Sequence, residues 1–201
     1  MKVTAIKQQA KRTGRYSIFV DGKYGFSLSE VALLEHKLVS GQELTPKQVS
    51  EFKKLSGEDK LYNQALRYAM LRLRSRWEIE FYLERKKASP ALTASILNKL
   101  SIIGLIDDEK FAQAFVNDRR LLRPASRRKM MLELRKKRVA DDIIRQAIGN
   151  ETGDELTALQ AIVEQKRRQT KYQDDQKLMQ YLARQGFSYG DIKEALTSRK
   201  N

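Results

Sequence analysis

Three segments within the first 45 residues alternate between hydrophobic and polar positions, which is the period of β-strands. The segments KVTAIKQQ and RYSIFV are rich in β-branched and aromatic residues, and KYGFSL follows with the same alternation. Asp21-Gly22, between the second and third segments, is favoured in two-residue hairpin turns. Ser27 and Glu30 have the spacing of a capping box, which predicts a short helix around Glu30–His36. The pattern therefore indicates a small sheet with one short helix.

From Thr45 onward the period changes to that of amphipathic helices. Thr45 is a typical N-cap and Pro46 a typical first helical residue. Pro90 follows Ser89 at the start of another predicted helix, and Pro124 lies between two predicted helices. The rest of the chain is therefore predicted to be almost entirely helical.

The helical region contains an internal repeat with a period of roughly 50 residues. The segments SRWEIEFYLERKK, SRRKMMLELRKKR and QKLMQYLARQG come into register when Leu83, Leu134 and Leu182 are aligned. A helical segment precedes each of them and another follows, so that each repeat consists of three helices. The alignment predicts that these three leucines occupy equivalent positions in three small cores.

Capping signals fall at matching places in the repeats. Ser75 with Glu78, and Ser188 with Asp191, have the spacing of capping boxes. Three glycines stand where helices should end. These glycines are Gly104, Gly149 and Gly186.

These patterns predict a mostly α fold, in which a tandem array of three three-helix repeats forms an elongated, curved molecule behind a small N-terminal β extension. We place the β-rich extension at residues 1–45, a linker helix with the first repeat at 46–106, the second repeat at 107–152 and the third at 153–201. Because neighbouring repeats can bury their apolar faces on one another, we expect a monomer.

The charge of the chain suggests a polyanionic partner. Lys and Arg total 40 against 25 acidic residues, so the formal net charge is +15. Such a charge repels itself in a compact protein and is more easily tolerated beside nucleic acid or an anionic membrane surface. No stretch of about 18 apolar residues could span a membrane, and no helix has spare bulky apolar residues to lie on one. We expect a cytoplasmic protein that binds nucleic acid and not membranes.

The positive charge is concentrated in RRLLRPASRRKMMLELRKKR, residues 119–138, which holds ten basic residues and one acid. Favourable interaction with helix C-termini explains a few of these cations but not the whole excess. Arg is prominent, and its planar guanidinium suits phosphate, so the cluster predicts contacts to a nucleic-acid backbone. The predicted contact residues are Arg119, Arg120, Arg123, Arg127, Arg128, Lys129, Arg135, Lys136, Lys137 and Arg138, with Arg72, Arg74 and Arg76 of the first repeat.

Two smaller features remain open to more than one interpretation. Trp77, Phe81 and Tyr82 lie beside these arginines and could stack on bases. The helical spacing of Trp77 and Phe81 places Phe81 in the core, whereas Tyr82 fits either role. The cations of the predicted sheet fit a solvated face and an anion-binding face equally well. They are Lys2, Lys7, Lys11, Arg12, Arg15 and Lys23.

No catalytic apparatus is recognisable. The chain has one histidine, His36, and no cysteine, which leaves no acid–base cluster and nearly excludes a zinc site. Phosphate-loop, dinucleotide-binding and nucleophile-elbow motifs are missing. Three acid pairs could suggest a metal-dependent nuclease, but each stands near a predicted helix start, where acids favour the helix dipole. The pairs are Asp107–Asp108, Asp141–Asp142 and Asp174–Asp175. We predict a binding protein without cofactor, metal or enzymatic activity.

The repeats resemble those of the RecX family, bacterial regulators of the recombinase RecA. The most specific stretch is IIGLIDDEKFAQAFVNDR, residues 102–119. It is similar to a family pattern in which a helix ends in Gly, Leu and Asp-Asp follow, and the next helix opens with Glu, Lys or Arg, Phe and Ala. SRWEIEFYLERK and YLARQGFSYGDIKEAL also match, and GRYSIFVDGKYGFSLSE is similar to an extension of longer members. The entry to the second helix of repeat one, Leu73-Arg74-Ser75, departs from the usual Pro-Arg-Ser, as does KKASP, which lacks a glycine.

This resemblance implies a modulator, mainly an inhibitor, of RecA in recombination and DNA repair. It implies binding to RecA and the RecA–DNA filament, and direct binding to single- and double-stranded DNA. The family has no catalytic residues to transfer. The competing interpretation is a helix-turn-helix transcription or chromatin factor with no RecA role, which would show sequence preference at physiological salt.

Overall fold

A computed structural model describes residues 1–10, 13–149 and 153–197. This part of the chain contains three strands and ten α-helices, with one 3₁₀ turn at Thr170–Tyr172. The elements are β1 (Val3–Gln8), β2 (Arg15–Val20), β3 (Lys23–Ser29), α1 (Glu30–Glu35), α2 (Pro46–Met70), α3 (Arg76–Arg85), α4 (Pro90–Ile102), α5 (Asp108–Leu122), α6 (Arg127–Lys136), α7 (Asp141–Ile148), α8 (Gly153–Arg167), α9 (Asp175–Arg184) and α10 (Tyr189–Thr197). The predicted mostly α fold with a small N-terminal sheet is confirmed.

The chain divides into two compact units. The first comprises Met1–Arg72 and Ile79–Ile102, and the second comprises Leu73–Glu78 and the residues from Ile103 onward. The sheet and helices α1, α2 and α4 belong to the first unit, and helices α5 to α10 belong to the second.

The sheet is antiparallel, in the order β1-β2-β3. The predicted hairpin turn is confirmed, since Asp21 and Gly22 both have positive φ, at 48° and 78°. The predicted Ser27–Glu30 capping box is wrong, because β3 continues through Ser29 and keeps Ser27 inside the sheet. Ser29 is the N-cap of α1, and its hydroxyl accepts a hydrogen bond from the Ala32 N–H at 3.2 Å.

A buried ion pair joins the sheet to α2. Arg15, the first residue of β2, is 8% exposed, and its guanidinium donates to the Asp59 carboxylate at 2.8 Å. The same carboxylate accepts the backbone N–H of Ser29 at 2.9 Å and its hydroxyl at 2.6 Å. Because the Arg15 and Asp59 side chains are each only 9% exposed and are linked by hydrogen bonds to the sheet and to α2, the sheet has one defined position on α2.

The predicted starts of α2 and α4, at Pro46 and Pro90, are confirmed. Thr45 and Gln48 form a reciprocal capping box, with Pro46 as the first residue of α2. The placement of Phe81 in the core is wrong, because this side chain is 44% exposed. Ile79 and Leu83 form the buried stripe of α3 instead, which leaves Phe81 beside it. Tyr82 stacks on Tyr68 with ring centroids 4.2 Å apart.

The three aligned leucines are all fully buried, as the repeat predicts. Leu83, Leu134 and Leu182 are each 0% exposed. In the second unit, α5 to α7 enclose one hydrophobic core and α8 to α10 another, and each of the two leucines there belongs to its own core. The three glycines predicted at helix ends all have positive φ, between 73° and 91°, and stand within two residues of the ends of α4, α7 and α9.

The junction between the second and third repeats is a close backbone contact. The Ser126 N–H donates to the Gln185 carbonyl at 3.2 Å, and the buried Ser126 hydroxyl caps α6. A Cβ atom on Gly186 would lie only 2.4 Å from Ser126 Oγ and 3.2 Å from Lys129 Cβ. Gly186 is therefore required both by its φ of 91° and by this contact.

We expect Gly186→Ala to lower the free energy of unfolding by about 2 kcal/mol, since strain at positive φ and overpacking each contribute about 1 kcal/mol or more. Gly104→Ala is the matched control, because Gly104 has φ of 73° and open space around its Cβ position. For the control, the free energy of unfolding should fall only by the cost of placing alanine at positive φ, about 1 kcal/mol. Urea denaturation of both variants checks this, and equal losses would show that the Ser126 contact is unimportant.

Candidate nucleic-acid interface

The ten predicted contact residues of the second repeat lie at the end of α5, along α6 and just after α6. Arg119 and Arg120 lie in the last turn of α5, and Arg123 is its C-cap. Five lie within α6: Arg127, Arg128, Lys129, Arg135 and Lys136. Lys137 and Arg138 end that helix, where Arg138 adopts a positive φ of 53°. Helix α6 is therefore the centre of the cluster.

Five of these cations are held by contacts within the protein. Arg119 donates to Glu133 at 2.8 Å and lies 5.1 Å from the Phe115 ring. The Lys129 ammonium donates to the Gln185 side chain at 2.6 Å, and Lys137 pairs with Glu78 at 2.7 Å.

Two arginines of this group bind backbone carbonyls at the end of α7. Arg120 donates to the Ile148 carbonyl at 3.0 Å, and Arg127 donates to that of Gly149. These contacts stabilise the repeat and its junctions, so the five side chains are less available to a partner than the sequence alone implies.

Four cations remain exposed and make no side-chain hydrogen bond or ion pair within the described residues. We call them the free cations: Arg123, Arg128, Lys136 and Arg138. Arg135 is intermediate, because it forms an exposed bidentate pair with Asp141 at 2.8 and 3.2 Å. The hydrogen bond from Arg135 lowers the pKa of Asp141, and the carboxylate in turn raises the pKa of Arg135.

A groove runs between α6 and the turn that joins α9 to α10, entirely within the second unit. It has two hollows of about 630 and 420 Å³, and Arg128, Leu132, Gly186 and Phe187 line both. Leu132 lies one helical turn from each of Arg128 and Lys136 and is 49% exposed. This α6 groove combines unpaired positive charge with an apolar side chain.

Arg184 is a groove residue that sequence reasoning missed. It ends α9, is exposed, and lines the same hollow as Arg128 and Lys136. Nothing in the local sequence distinguishes it from an ordinary cation in the last turn of a helix. It becomes part of the site only because the third repeat packs against the second at Ser126 and Gly186.

The three predicted contact residues of the first repeat have separate environments. Arg72 is exposed beyond the end of α2, in the first unit. Arg74 is only 9% exposed, so it offers a partner little surface. Arg76 is exposed at the start of α3, and its N–H donates to the Asp108 carboxylate at 2.7 Å.

All three acid pairs stand at helix starts, as predicted, and two of the pairs supply an N-cap, at α5 and α9, whereas the N-cap of α7 is Ala140. Asp107 is the N-cap of α5 and accepts the Lys110 N–H at 2.9 Å, and this hydrogen bond lowers the pKa of its carboxyl. Burial raises the pKa of Asp108, against the hydrogen bond from Arg76. Asp174 caps α9 in the same way, with the Lys177 N–H at 3.0 Å.

Two further members of these pairs form ion pairs. Asp141 begins α7 and pairs with Arg135, and Asp175 begins α9 and pairs with Arg167. Within residues 1–10, 13–149 and 153–197, no three side chains of metal-ligating type are grouped together. Across the same residues, no helix combines the length and apolar character that crossing a bilayer requires.

Models of protein families match three stretches of the chain. The RecX N-terminal domain matches residues 1–45, the second three-helix domain of RecX matches 107–148, and the third three-helix domain matches 153–196. The matched stretches include α6, the α9–α10 turn and the N-terminal sheet.

Curated relatives carry the same family name. Regulatory protein RecX of Lactobacillus delbrueckii subsp. bulgaricus is 31% identical over 200 residues, which cover 97% of this chain and 73% of that protein. The Listeria monocytogenes protein is 31% identical over 203 residues, covering 98% and 75%. The Bacillus subtilis protein is 28% identical over 199 residues, covering 96% and 75%.

Solved structures agree with these sequence matches. A crystal structure of regulatory protein RecX superposes with a TM-score of 0.74 at 26% identity and covers 98% of both chains. A second, of RecX from Lactobacillus salivarius, gives a TM-score of 0.58 at 26% identity and covers 71% of this chain and 96% of that one.

Proposed function

The chain belongs to the RecX family of regulatory proteins, and on this basis we propose that it binds RecA and the RecA–DNA filament and inhibits the recombinase. In this proposal it modulates recombination and DNA repair as a binding protein and not as an enzyme. It contacts DNA through backbone phosphates, and the α6 groove is the centre of that contact.

The observation that carries the DNA part of the proposal is the set of free cations along and beside α6. Arg128 and Lys136 are two helical turns apart, exposed, and unpaired within the described residues, while Glu133 between them is already bound to Arg119. An unpaired guanidinium or ammonium gains a charge-assisted hydrogen bond from phosphate without first losing an internal partner. Contacts of this kind carry no sequence information, so binding should be general and strongly dependent on salt.

Inhibition by such a protein requires only differential binding. A ligand shifts an equilibrium by as much as its affinities for the two states differ. Suppose that the chain binds more tightly to a RecA filament state that cannot extend than to one that can. Filament growth then stops without any chemical step. Leu132 supports a protein partner beside the DNA, because a half-exposed leucine among cations offers apolar contact that phosphate does not use.

The test is the rate of ATP hydrolysis by RecA from the same organism on single-stranded DNA, with this protein titrated in. We expect the rate to fall at well below one molecule per RecA, because a filament regulator acts on many subunits at once. A parallel titration without RecA measures binding to the same DNA.

If hydrolysis is unchanged while binding to naked DNA is retained, the RecA part of the proposal is wrong. The chain would then be a general nucleic-acid binder. If a scrambled DNA sequence is bound much less tightly at physiological salt, the helix-turn-helix interpretation gains instead.

A further inference from the structure

The first unit contains a recess of about 60 Å³ where the start of β2 meets the middle of α2. Such a volume holds several water molecules and therefore also one tetrahedral oxyanion. Its lining includes three cations, Arg15, Lys60 and Arg67, with the polar side chains of Thr13, Ser29 and Asn63. None of the residues that line it is acidic or aromatic. The recess is therefore a small, polar and positively charged site.

Lys60 and Arg67 supply its available charge. They are exposed and seven residues apart on α2, which is about 10 Å along the helix axis. Neither makes an ion pair or side-chain hydrogen bond within the described part of the chain. Both are therefore able to turn toward an anion in the recess without losing a protein partner.

Arg15 forms the floor of the recess, and its side chain is held in place by hydrogen bonds. Four of its hydrogen bonds go to Ser27, Asp59 and Ser56, at 2.8 to 3.3 Å. A guanidinium has five N–H donors, so these contacts leave one donor without a protein partner in the described structure. Asp59 neutralises the Arg15 charge, but its carboxylate is not among the residues that line the recess. The floor is thus preorganised, and the nearest carboxylate is already occupied by four donors.

We propose that this recess binds one phosphate group of a nucleic-acid backbone. The chemistry is that of an oxyanion between two mobile cations and a fixed guanidinium. The lining has no ring to stack on a base, which favours a backbone phosphate over a free nucleotide. This contact lies in the first unit, outside the α6 groove, and it does not depend on RecA.

The test compares Lys60→Gln/Arg67→Gln with the wild-type full chain in binding to single-stranded DNA over a range of salt. Loss of one phosphate contact should reduce the slope of log affinity against log salt by about 0.7 and weaken binding about 5-fold near 0.1 M salt. Lys47→Gln/Lys53→Gln is the matched control, since both lysines are exposed on the same helix and outside the recess. The control should leave the slope unchanged.

A second measurement follows the backbone amide resonances of Gly14 and Lys60 while inorganic phosphate is added to the wild-type chain. Shifts that are absent in Lys60→Gln/Arg67→Gln would support the site. Equal salt slopes for the two double variants would overturn the backbone contact. If phosphate then still shifts these amides, the recess takes free phosphate and not nucleic acid. RecA is absent from both measurements, so their result is separate from that of the RecA hydrolysis test.

Discussion

Asp59→Ala should lower the free energy of unfolding by about 3–5 kcal/mol, because removal of one partner of a buried ion pair leaves the other charge uncompensated. The Arg15 guanidinium would lose the Asp59 carboxylate at 2.8 Å, the one with which it pairs among the described residues, while remaining 8% exposed. The Ser29 N–H and hydroxyl would lose their acceptor in the same substitution. Urea denaturation followed by circular dichroism measures the loss.

Glu58→Ala is the matched control for this prediction. Glu58 is the neighbouring residue on α2, and its pair with the exposed Lys54 is long, at 4.0 Å. Exposed pairs at this spacing contribute about 0.5 kcal/mol or less. A loss for Asp59→Ala as small as that of Glu58→Ala would contradict a structural role for the buried pair. Replacing both Arg15 and Asp59 with Met should recover part of the loss, because no unpaired charge then remains.

Arg128→Glu/Lys136→Glu should weaken binding to single-stranded DNA on the order of 100-fold near 0.1 M salt. Loss of two phosphate contacts accounts for about 25-fold by counterion release, and repulsion from the new carboxylates adds the rest. The slope of log affinity against log salt should fall by about 1.4. Both residues are exposed and make no side-chain hydrogen bond or ion pair in the described chain, so the fold should be unaffected. Fluorescence anisotropy with a labelled oligonucleotide measures both quantities.

The control for this pair is Lys47→Glu/Lys193→Glu, which changes the net charge by the same amount at two exposed positions outside the α6 groove. If the two double variants lose affinity equally, the net charge of the chain and not the α6 groove governs binding. Arg127 and Lys129 are poor choices for such a test, although the sequence suggests them. Reversal of Arg127 would also break its contact to Gly149 within the second repeat. Reversal of Lys129 would break the contact to Gln185 that joins the second and third repeats.

Local signals in the sequence predicted the helical repeat because its determinants are local. N-caps such as Thr45, turns such as Asp21-Gly22 and helix-terminating glycines such as Gly186 act on residues only a few positions away. The alignment of Leu83, Leu134 and Leu182 worked because each three-helix repeat buries the same position of its middle helix. Periodicity alone did not decide between adjacent stripes of α3, and for this reason Phe81 was misplaced.

The candidate site was less predictable, because its basic residues serve two purposes: some form contacts within the protein, and others stay free for a partner. The sequence by itself determined that positive charge is concentrated between Arg119 and Arg138, and that this stretch is helical. Tertiary structure decided which of these cations are committed to Glu133, Gln185, Glu78 and the end of α7 and which stay free. It also added Arg184 to the groove and removed Arg15 from the exposed charge of the sheet. The physical reason is that charge is a property of a residue, whereas its availability depends on partners far away along the chain.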